Sequence, residues 1–114
     1  TNNTTSIGLA ASGSGDIPSF TAVNTTNAPI TATIVVTPSA NGCNGLPVTF
    51  TITVNPTPTV DVVSSQTLCA GSATTAVTFA STFNVANTTY SWTNDNASIG
   101  LPLSGNSNIA VFTS

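Results

Sequence analysis

The stretch Val48-Thr-Phe-Thr-Ile-Thr-Val54 decides the fold, because apolar and threonine side chains alternate along its whole length. Successive side chains of a β-strand point to opposite faces, so this alternation predicts a strand with one apolar and one threonine face. A second β-type run, Ile30–Val36, precedes it, and the Pro38–Gly45 segment between them is rich in turn residues. We therefore expect a hairpin of two long antiparallel strands. The side chains expected in its core are Ile34, Val36, Phe50 and Ile52.

A tandem repeat becomes visible when the chain is compared with itself. Residues 1–22 and 93–114 are identical at 11 of 22 positions without a gap, which gives a repeat of about 92 residues. Chance agreement between polar residues does not explain the apolar and glycine matches. These matches pair Ile7, Gly8, Leu9, Gly13, Ile17 and Phe20 with Ile99, Gly100, Leu101, Gly105, Ile109 and Phe112.

The repeat predicts the domain organisation. Residues 1–55 are expected to be the C-terminal part of one β-sandwich module, and residues 59–114 the N-terminal part of the next. Residues 56–58 would be a Pro-rich connector between them. On this prediction the chain by itself does not close into one complete sandwich.

Further short runs predict more strands, since Thr and Val are strand formers and no apolar stripe with a helical period appears. These runs are residues 59–63, 74–80, 88–93, 98–101 and 108–113, with the last two mirrored at 6–9 and 16–21. Many short strands separated by turns are typical of an antiparallel Greek-key sandwich. The predicted fold class is therefore all-β.

The composition excludes most catalytic chemistry. Lys, Arg, His, Glu and Met do not occur, and Asp16, Asp61 and Asp95 give a net charge of −3. The chain therefore lacks the usual general bases, zinc ligands and Schiff-base lysines, and it has no basic side chain to neutralise phosphate. We expect no enzymatic activity, no cofactor, no metal and no nucleic-acid partner. Its apolar stretches are too short to span a membrane, so no membrane insertion is expected.

Several motifs together suggest a family. They are Cys69-Ala-Gly-Ser after a Pro-Thr-Val run, Tyr90-Ser-Trp92, Ser-Ile-Gly-Leu, Asn-Gly-Cys43, and a closing Thr-Ile-Thr-Val-Asn-Pro-Thr-Pro. In permuted order, the whole chain resembles the PKD-like, immunoglobulin-fold repeats of giant secreted surface proteins of Bacteroidota, which include adhesins and filament proteins. The resemblance implies an immunoglobulin-like sandwich, secretion through the outer membrane and an extracellular position on the cell surface.

Two candidate sites each have a structural interpretation beside a functional one. Trp92 and Tyr90 fall on the same face of a predicted strand, where they are expected in the core; a sugar-stacking platform is the alternative. Asn94-Asp95-Asn96 is rich in oxygen ligands, as a calcium loop is, but a single carboxylate is few for calcium and Asx-rich turns are common. We therefore expect a turn there.

Two functions from different classes remain open at this stage. The first is a structural repeat module of an extracellular filament or fibre, assembled end to end with other modules or copies of the same protein. The alternative is an adhesin module that recognises glycan or a surface ligand through its loops. A ligand site normally concentrates exposed aromatic or charged side chains, and this chain has few of either. The composition therefore favours the structural module.

Cys43 and Cys69 indicate a disulfide-permissive, exported setting. Cys43 precedes the closing strand of one module, and Cys69 follows the opening strand of the next. In modules that run end to end, their separation within one copy exceeds the roughly 7 Å between Cα atoms that a disulfide tolerates. We favour a cross-link between Cys43 of one copy and Cys69 of another. A bridge between repeat equivalents within one module, and free thiols, are the alternatives.

Peptide mapping of assembled material without reduction tests the cysteine prediction. We expect a disulfide-linked pair containing Cys43 and Cys69 in species larger than the monomer, and its loss after reduction. A monomer that carries a Cys43–Cys69 bond would show that the end-to-end arrangement is wrong.

Overall fold

The structure is a computed structural model that describes all 114 residues. The chain divides into two compact units, unit 1 (Thr1–Thr57) and unit 2 (Pro58–Ser114), with the boundary inside the Pro-rich segment 56–58. All strands pair antiparallel, and the only helical segments are the 3-10 turns Thr5–Ile7 and Ala97–Ile99. The chain is therefore all-β, as its sequence predicts. Neither helical segment has the length and apolar character that crossing a lipid bilayer requires.

Unit 1 is built around the hairpin that the alternating pattern predicts. Strands β1 (Ile30–Val36) and β4 (Val48–Val54) pair along their full length, with Ile30 opposite Val54. At the hairpin tip, β2 (Ser39–Ala40) pairs with β3 (Cys43–Asn44). We call residues 30–54 the β1–β4 hairpin. The register places every apolar residue of the two long strands except Val35 on one face, and all their threonines on the other.

The first repeat segment (residues 1–22) covers part of the apolar face of this hairpin. Ile7 and Ala32 are fully buried, and Ile34 is only 3% exposed. The side chains packed around them are Leu9, Phe20, Ile30, Ile52 and Val54. The core of unit 1 therefore joins the repeat segment to the end of the hairpin that lies away from its tip.

The start of the chain also adds a short edge to the sheet. Asn2 forms an antiparallel bridge with Ile34. The Val35 amide donates to the Thr1 carbonyl at 2.9 Å, and the Asn3 amide donates to the Thr33 carbonyl at 3.3 Å. The repeat segment thus contacts β1 through both its backbone edge and its apolar face.

The expected burial of Phe50 and Val36 is not observed. Ile34 is buried and Ile52 is half-buried, whereas Phe50 is 40% and Val36 is 47% exposed. The reason is that the first repeat segment covers only one end of the apolar face, and nothing in unit 1 packs over the end near the tip. The alternating pattern identifies the correct face but not what covers it.

Unit 2 contains less regular pairing than the sequence predicts. Strands β5 (Ser91–Thr93) and β6 (Ser104–Asn106) form a two-stranded sheet. The predicted run 74–80 forms no continuous strand: its bridges are isolated, Ala73 to Thr113 and Val77 to Ile109, and side chains such as Gln66 and Asn108 supply further bonds to its backbone. Each sheet in the chain has two strands, so the structure shows the all-β class without a closed sandwich.

Trp92 in β5 is paired with Gly105 in β6, and its indole ring covers the glycine backbone. A Cβ atom added at Gly105 would collide with the ring, whereas one added at Gly13, the equivalent position of the first repeat segment, has no heavy atom within 4 Å. An aromatic ring that covers a cross-strand glycine pins the register of the pair. Gly105 is therefore required for this packing.

We expect Gly105→Ala to destabilise unit 2 by about 1–3 kcal/mol, because the added methyl group overpacks the contact with Trp92. Urea unfolding followed by circular dichroism and Trp92 fluorescence measures the change. Gly13→Ala is the matched control and should leave the free energy of unfolding almost unchanged. Equal effects of the two substitutions would contradict the packing described here.

Candidate functional site

The second repeat segment (residues 93–114) folds locally like the first. In each, a 3-10 turn ends at a glycine with a positive φ, 101° at Gly8 and 100° at Gly100. A Cβ atom at these positions would lie 2.7 Å from the Thr21 carbonyl oxygen and 2.9 Å from that of Thr113. Because a side chain is excluded by both φ and space, glycine is required at the same point of each repeat segment.

One asparagine side chain organises each of these turns. The Nδ2 of Asn94 donates to the carbonyl oxygens of Asn96, Leu101 and Pro102 at 3.1, 3.0 and 3.3 Å. Its Oδ1 accepts from the Asn96 amide at 3.0 Å. Asn2 makes the corresponding four bonds, to Thr4, Leu9 and Ala10, at 3.2, 2.9, 3.3 and 3.0 Å. Sequence reasoning missed this role, and its only signal was the identity of Asn2 and Asn94 in the repeat.

The two repeat segments differ in what covers them. Ile7 is fully buried under the β1–β4 hairpin, whereas its equivalent Ile99 is 44% exposed. Ile99 instead lines an open groove of about 340 Å³ within unit 2. We call this the unit 2 groove; its apolar lining residues are Leu68, Val77, Ile99, Leu101, Ile109 and Phe112. The same local structure is therefore covered in unit 1 and uncovered in unit 2.

The backbone edge of unit 2 is also open. The Asn94 amide donates to the Leu103 carbonyl at 2.7 Å, and the Ser107 amide donates to the Tyr90 carbonyl at 2.8 Å. Backbone groups alternate in direction along a strand, so those of Thr93 and Asp95 point away from β6. The Asp95 amide makes no hydrogen bond, whereas its equivalent, Asn3, donates to β1. Residues 93–95 thus form an unpaired sheet edge beside an uncovered apolar surface.

The aromatic residues singled out in the sequence are only partly buried. Trp92 and Tyr90 are both half-buried, and the Tyr90 ring centroid lies 5.9 Å from that of Phe79. The Nε1 of Trp92 is buried without a hydrogen-bond partner. One face of the Trp92 ring is taken up by Gly105. The structure therefore gives Trp92 a packing contact within the β5–β6 pair.

The aspartates do not come together. Asp61 accepts from the amide and the hydroxyl of Thr82 at 3.0 and 3.2 Å, which holds two segments of unit 2 together. Asp16 and Asp95 are exposed. The chain contains no group of three or more His, Cys, Asp or Glu side chains that could hold a metal ion. In the oxygen-rich loop, both polar atoms of the Asn94 side chain already form hydrogen bonds within the turn.

Both cysteines are free and exposed in the structure. Cys43 lies in β3 at the hairpin tip of unit 1. In unit 2, the Cys69 carbonyl accepts from the Ser72 amide at 3.1 Å and from the Ser114 hydroxyl at 3.3 Å, beside the end of the second repeat segment. Their cross-linking between copies stays a prediction.

Comparison of the chain with models of known protein families, with curated proteins and with solved structures finds no match. The candidate site is therefore assigned from its geometry alone. It consists of the unit 2 groove and the adjoining open edge at residues 93–95.

The difference in coverage predicts a difference between two equivalent substitutions. Ile7→Ala should lower the free energy of unfolding of unit 1 by about 2–4 kcal/mol, because it leaves a cavity in a buried core. Ile99→Ala should cost unit 2 less than about 1 kcal/mol in the isolated chain, since the side chain is already partly in water. Urea unfolding at low protein concentration, followed by circular dichroism, compares the two variants. A large loss from Ile99→Ala in the monomer would mean that the unit 2 groove is covered in solution.

Proposed function

We propose that this chain is a structural repeat module of an extracellular surface filament, assembled end to end with neighbouring modules or copies of the same protein. The observation that carries the proposal is the uncovered second repeat segment in unit 2. Its counterpart in unit 1 has the same turn, the same asparagine bonds and a covering hairpin. Because this surface is buried in unit 1 and open in unit 2, we assign it in unit 2 as an assembly surface.

Exposed apolar area supports assembly energetically. The more exposed apolar side chains outside the groove include Leu46, Val48, Val62 and Leu103. Apolar surface contributes about 25 cal/mol per Å² when it leaves water, and contiguous apolar patches on proteins mark interaction sites. Contact with a neighbouring unit would cover part of this surface.

The finer architecture is part of the same proposal. A unit 2 completed by a hairpin equivalent to residues 30–54 would contain the opening and closing strands of one module. We expect that completed module to be an immunoglobulin-like, PKD-like Greek-key sandwich. The secreted, cell-surface location follows from the same resemblance and from the two cysteines.

The surface chemistry supports a structural role over catalysis or glycan binding. No serine or cysteine has a histidine or lysine that could activate it, because the chain contains neither residue. Sugar-binding sites typically present an aromatic face to solvent, whereas Trp92 and Tyr90 are half-buried. The outer face of the β1–β4 hairpin is neutral and carries paired hydroxyls, with the Thr31 and Thr53 oxygens 3.0 Å apart.

Electron microscopy of the full chain over a range of concentrations tests the proposed function. We expect linear fibres with a regular axial repeat, and sedimentation that shifts to larger species as the concentration rises. Isolated globular particles at all concentrations, particularly ones that bind glycans, would contradict the filament proposal and favour an adhesin module.

A further inference from the structure

We propose that the unit 2 groove is the docking site for the β1–β4 hairpin of a second copy of this chain. The inference rests on the proposed structural function and deepens it by naming the segment that joins one copy to the next. Three observations carry it: the match between the two repeat segments, the open backbone edge, and the length of the connector.

The first observation is that unit 1 already shows how this hairpin binds a repeat segment. Ile7 forms a buried cluster with Ala32 and Ile34 of the hairpin, and Leu9 and Phe20 pack against this cluster. The equivalent residues of the second repeat segment are Ile99, Leu101 and Phe112, which are identical in type and line the unit 2 groove. Two surfaces with the same side chains on the same local backbone fit the same partner.

The second observation is that the open edge of unit 2 offers the hydrogen bonds that β1 uses in unit 1. In the equivalent register, Asn94 would lie opposite Ile34, and the Asp95 amide would donate to the Thr33 carbonyl. In unit 1 the Thr33 amide also donates to Oδ1 of Asn3 at 2.8 Å. Asp95 replaces Asn3 in the second repeat segment and retains a side-chain oxygen acceptor there. The hairpin would therefore add to the sheet as an extra strand while its apolar face fills the groove.

The third observation excludes the hairpin of the same chain. In unit 1 the Val54 carbonyl accepts from Nδ2 of Asn24 at 2.8 Å. Asn24 lies two residues past Ala22, which is the equivalent of Ser114. The end of a hairpin docked in unit 2 would therefore lie just past Ser114. Ser114 exchanges hydrogen bonds with Gly71 and Ser72, both at 3.1 Å. A hairpin docked in unit 2 thus ends beside residues 71–72.

The start of unit 2 lies far from that point. The hydroxyls of Thr59 and Ser81 are 2.8 Å apart. Residues 73–77 run antiparallel to 109–113, and further along the same segment Thr75 bonds to Gln66 and the Ala80 carbonyl accepts from the Asp61 amide. Nine residue steps from 72 to 81 span about 30 Å when extended. The five steps from Val54 to Thr59 reach at most about 18 Å. The connector is therefore too short for residues 30–54 of the same copy to reach the unit 2 groove, and we assign the site to the hairpin of a second copy.

Transfer of the hairpin to unit 2 also offers it more contact. In unit 1, Val36, Val48 and Phe50 remain 47%, 65% and 40% exposed. The unit 2 groove is bordered by Leu68 and Val77, from a segment that unit 1 does not contain. Burial of the hairpin by the second repeat segment would replace burial by the first, and we expect the additional segment to cover part of the side chains that are exposed in unit 1. Exchange also uncovers Ile7 of the donating copy, so association requires the contact in unit 2 to exceed the one given up in unit 1.

A synthetic peptide of residues 23–58 with Cys43→Ser tests the inference when it is added to the full chain. It contains the hairpin but neither repeat segment. We expect one peptide to bind per chain and to slow amide hydrogen exchange at residues 95 and 99–101. We also expect it to shorten assemblies of the full chain, because it occupies the groove without supplying a new one.

Matched variants locate the binding. Ile99→Asn in the chain should weaken peptide binding at least tenfold, whereas Val62→Asn, at a fully exposed position of unit 2 outside the groove, should leave it unchanged. In the peptide, Ile34→Asn should abolish binding, and Val35→Asn, on the opposite face of the same strand, should preserve most of it. Binding that is insensitive to Ile99→Asn, or protection that maps elsewhere, would overturn the inference.

The outcomes also separate this inference from the proposed function. Fibres that form although the peptide neither binds nor protects residues 95 and 99–101 would overturn the hairpin assignment and leave the filament proposal standing. Peptide binding in a chain that associates only into small oligomers would support the hairpin assignment and contradict the filament. Peptide binding by a chain that stays monomeric at every concentration would show that the hairpin comes from something other than a second copy.

Discussion

The burial of one side chain, Ile7, against Ala32 and Ile34 holds unit 1 together. The contact fixes the first repeat segment on the hairpin, and the edge pairing between Asn2 and Ile34 forms beside it. In unit 2 the equivalent Ile99 has the same turn, glycine and asparagine around it but no hairpin to contact. The turn is therefore stable as a local structure, and the hairpin contact is a separate, additional layer of packing.

The sequence predicts the backbone of the hairpin better than its environment. Strict alternation in residues 48–54 determines both the strand and its register, because a slip of one residue would turn every apolar side chain outward. The exposure of Phe50 was not predictable in this way, since alternation defines a face and says nothing about what lies on it. The same limit explains why strands expected at 59–63 and 74–80 are irregular: their ladder partners are few in unit 2.

Only part of the candidate site could be predicted from the sequence. The repeat identified Ile7 and Ile99 as equivalents, and the structure then showed that only one of them is covered. The roles of Asn2 and Asn94 were hidden because asparagine is common in this chain and its side-chain bonds leave no periodic pattern. The packing of Trp92 on Gly105 was hidden for a related reason, since it depends on a cross-strand register that only the fold reveals.

The neutral surface of the hairpin has a kinetic consequence for any association it takes part in. With no Lys, Arg or His and only three aspartates, two copies have no complementary fields to steer their encounter. Association without such steering proceeds at about 10⁵–10⁶ M⁻¹s⁻¹. A high local concentration of separate copies then becomes the main means of accelerating their association, because a connector that cannot span two sites gives them no effective concentration within one chain.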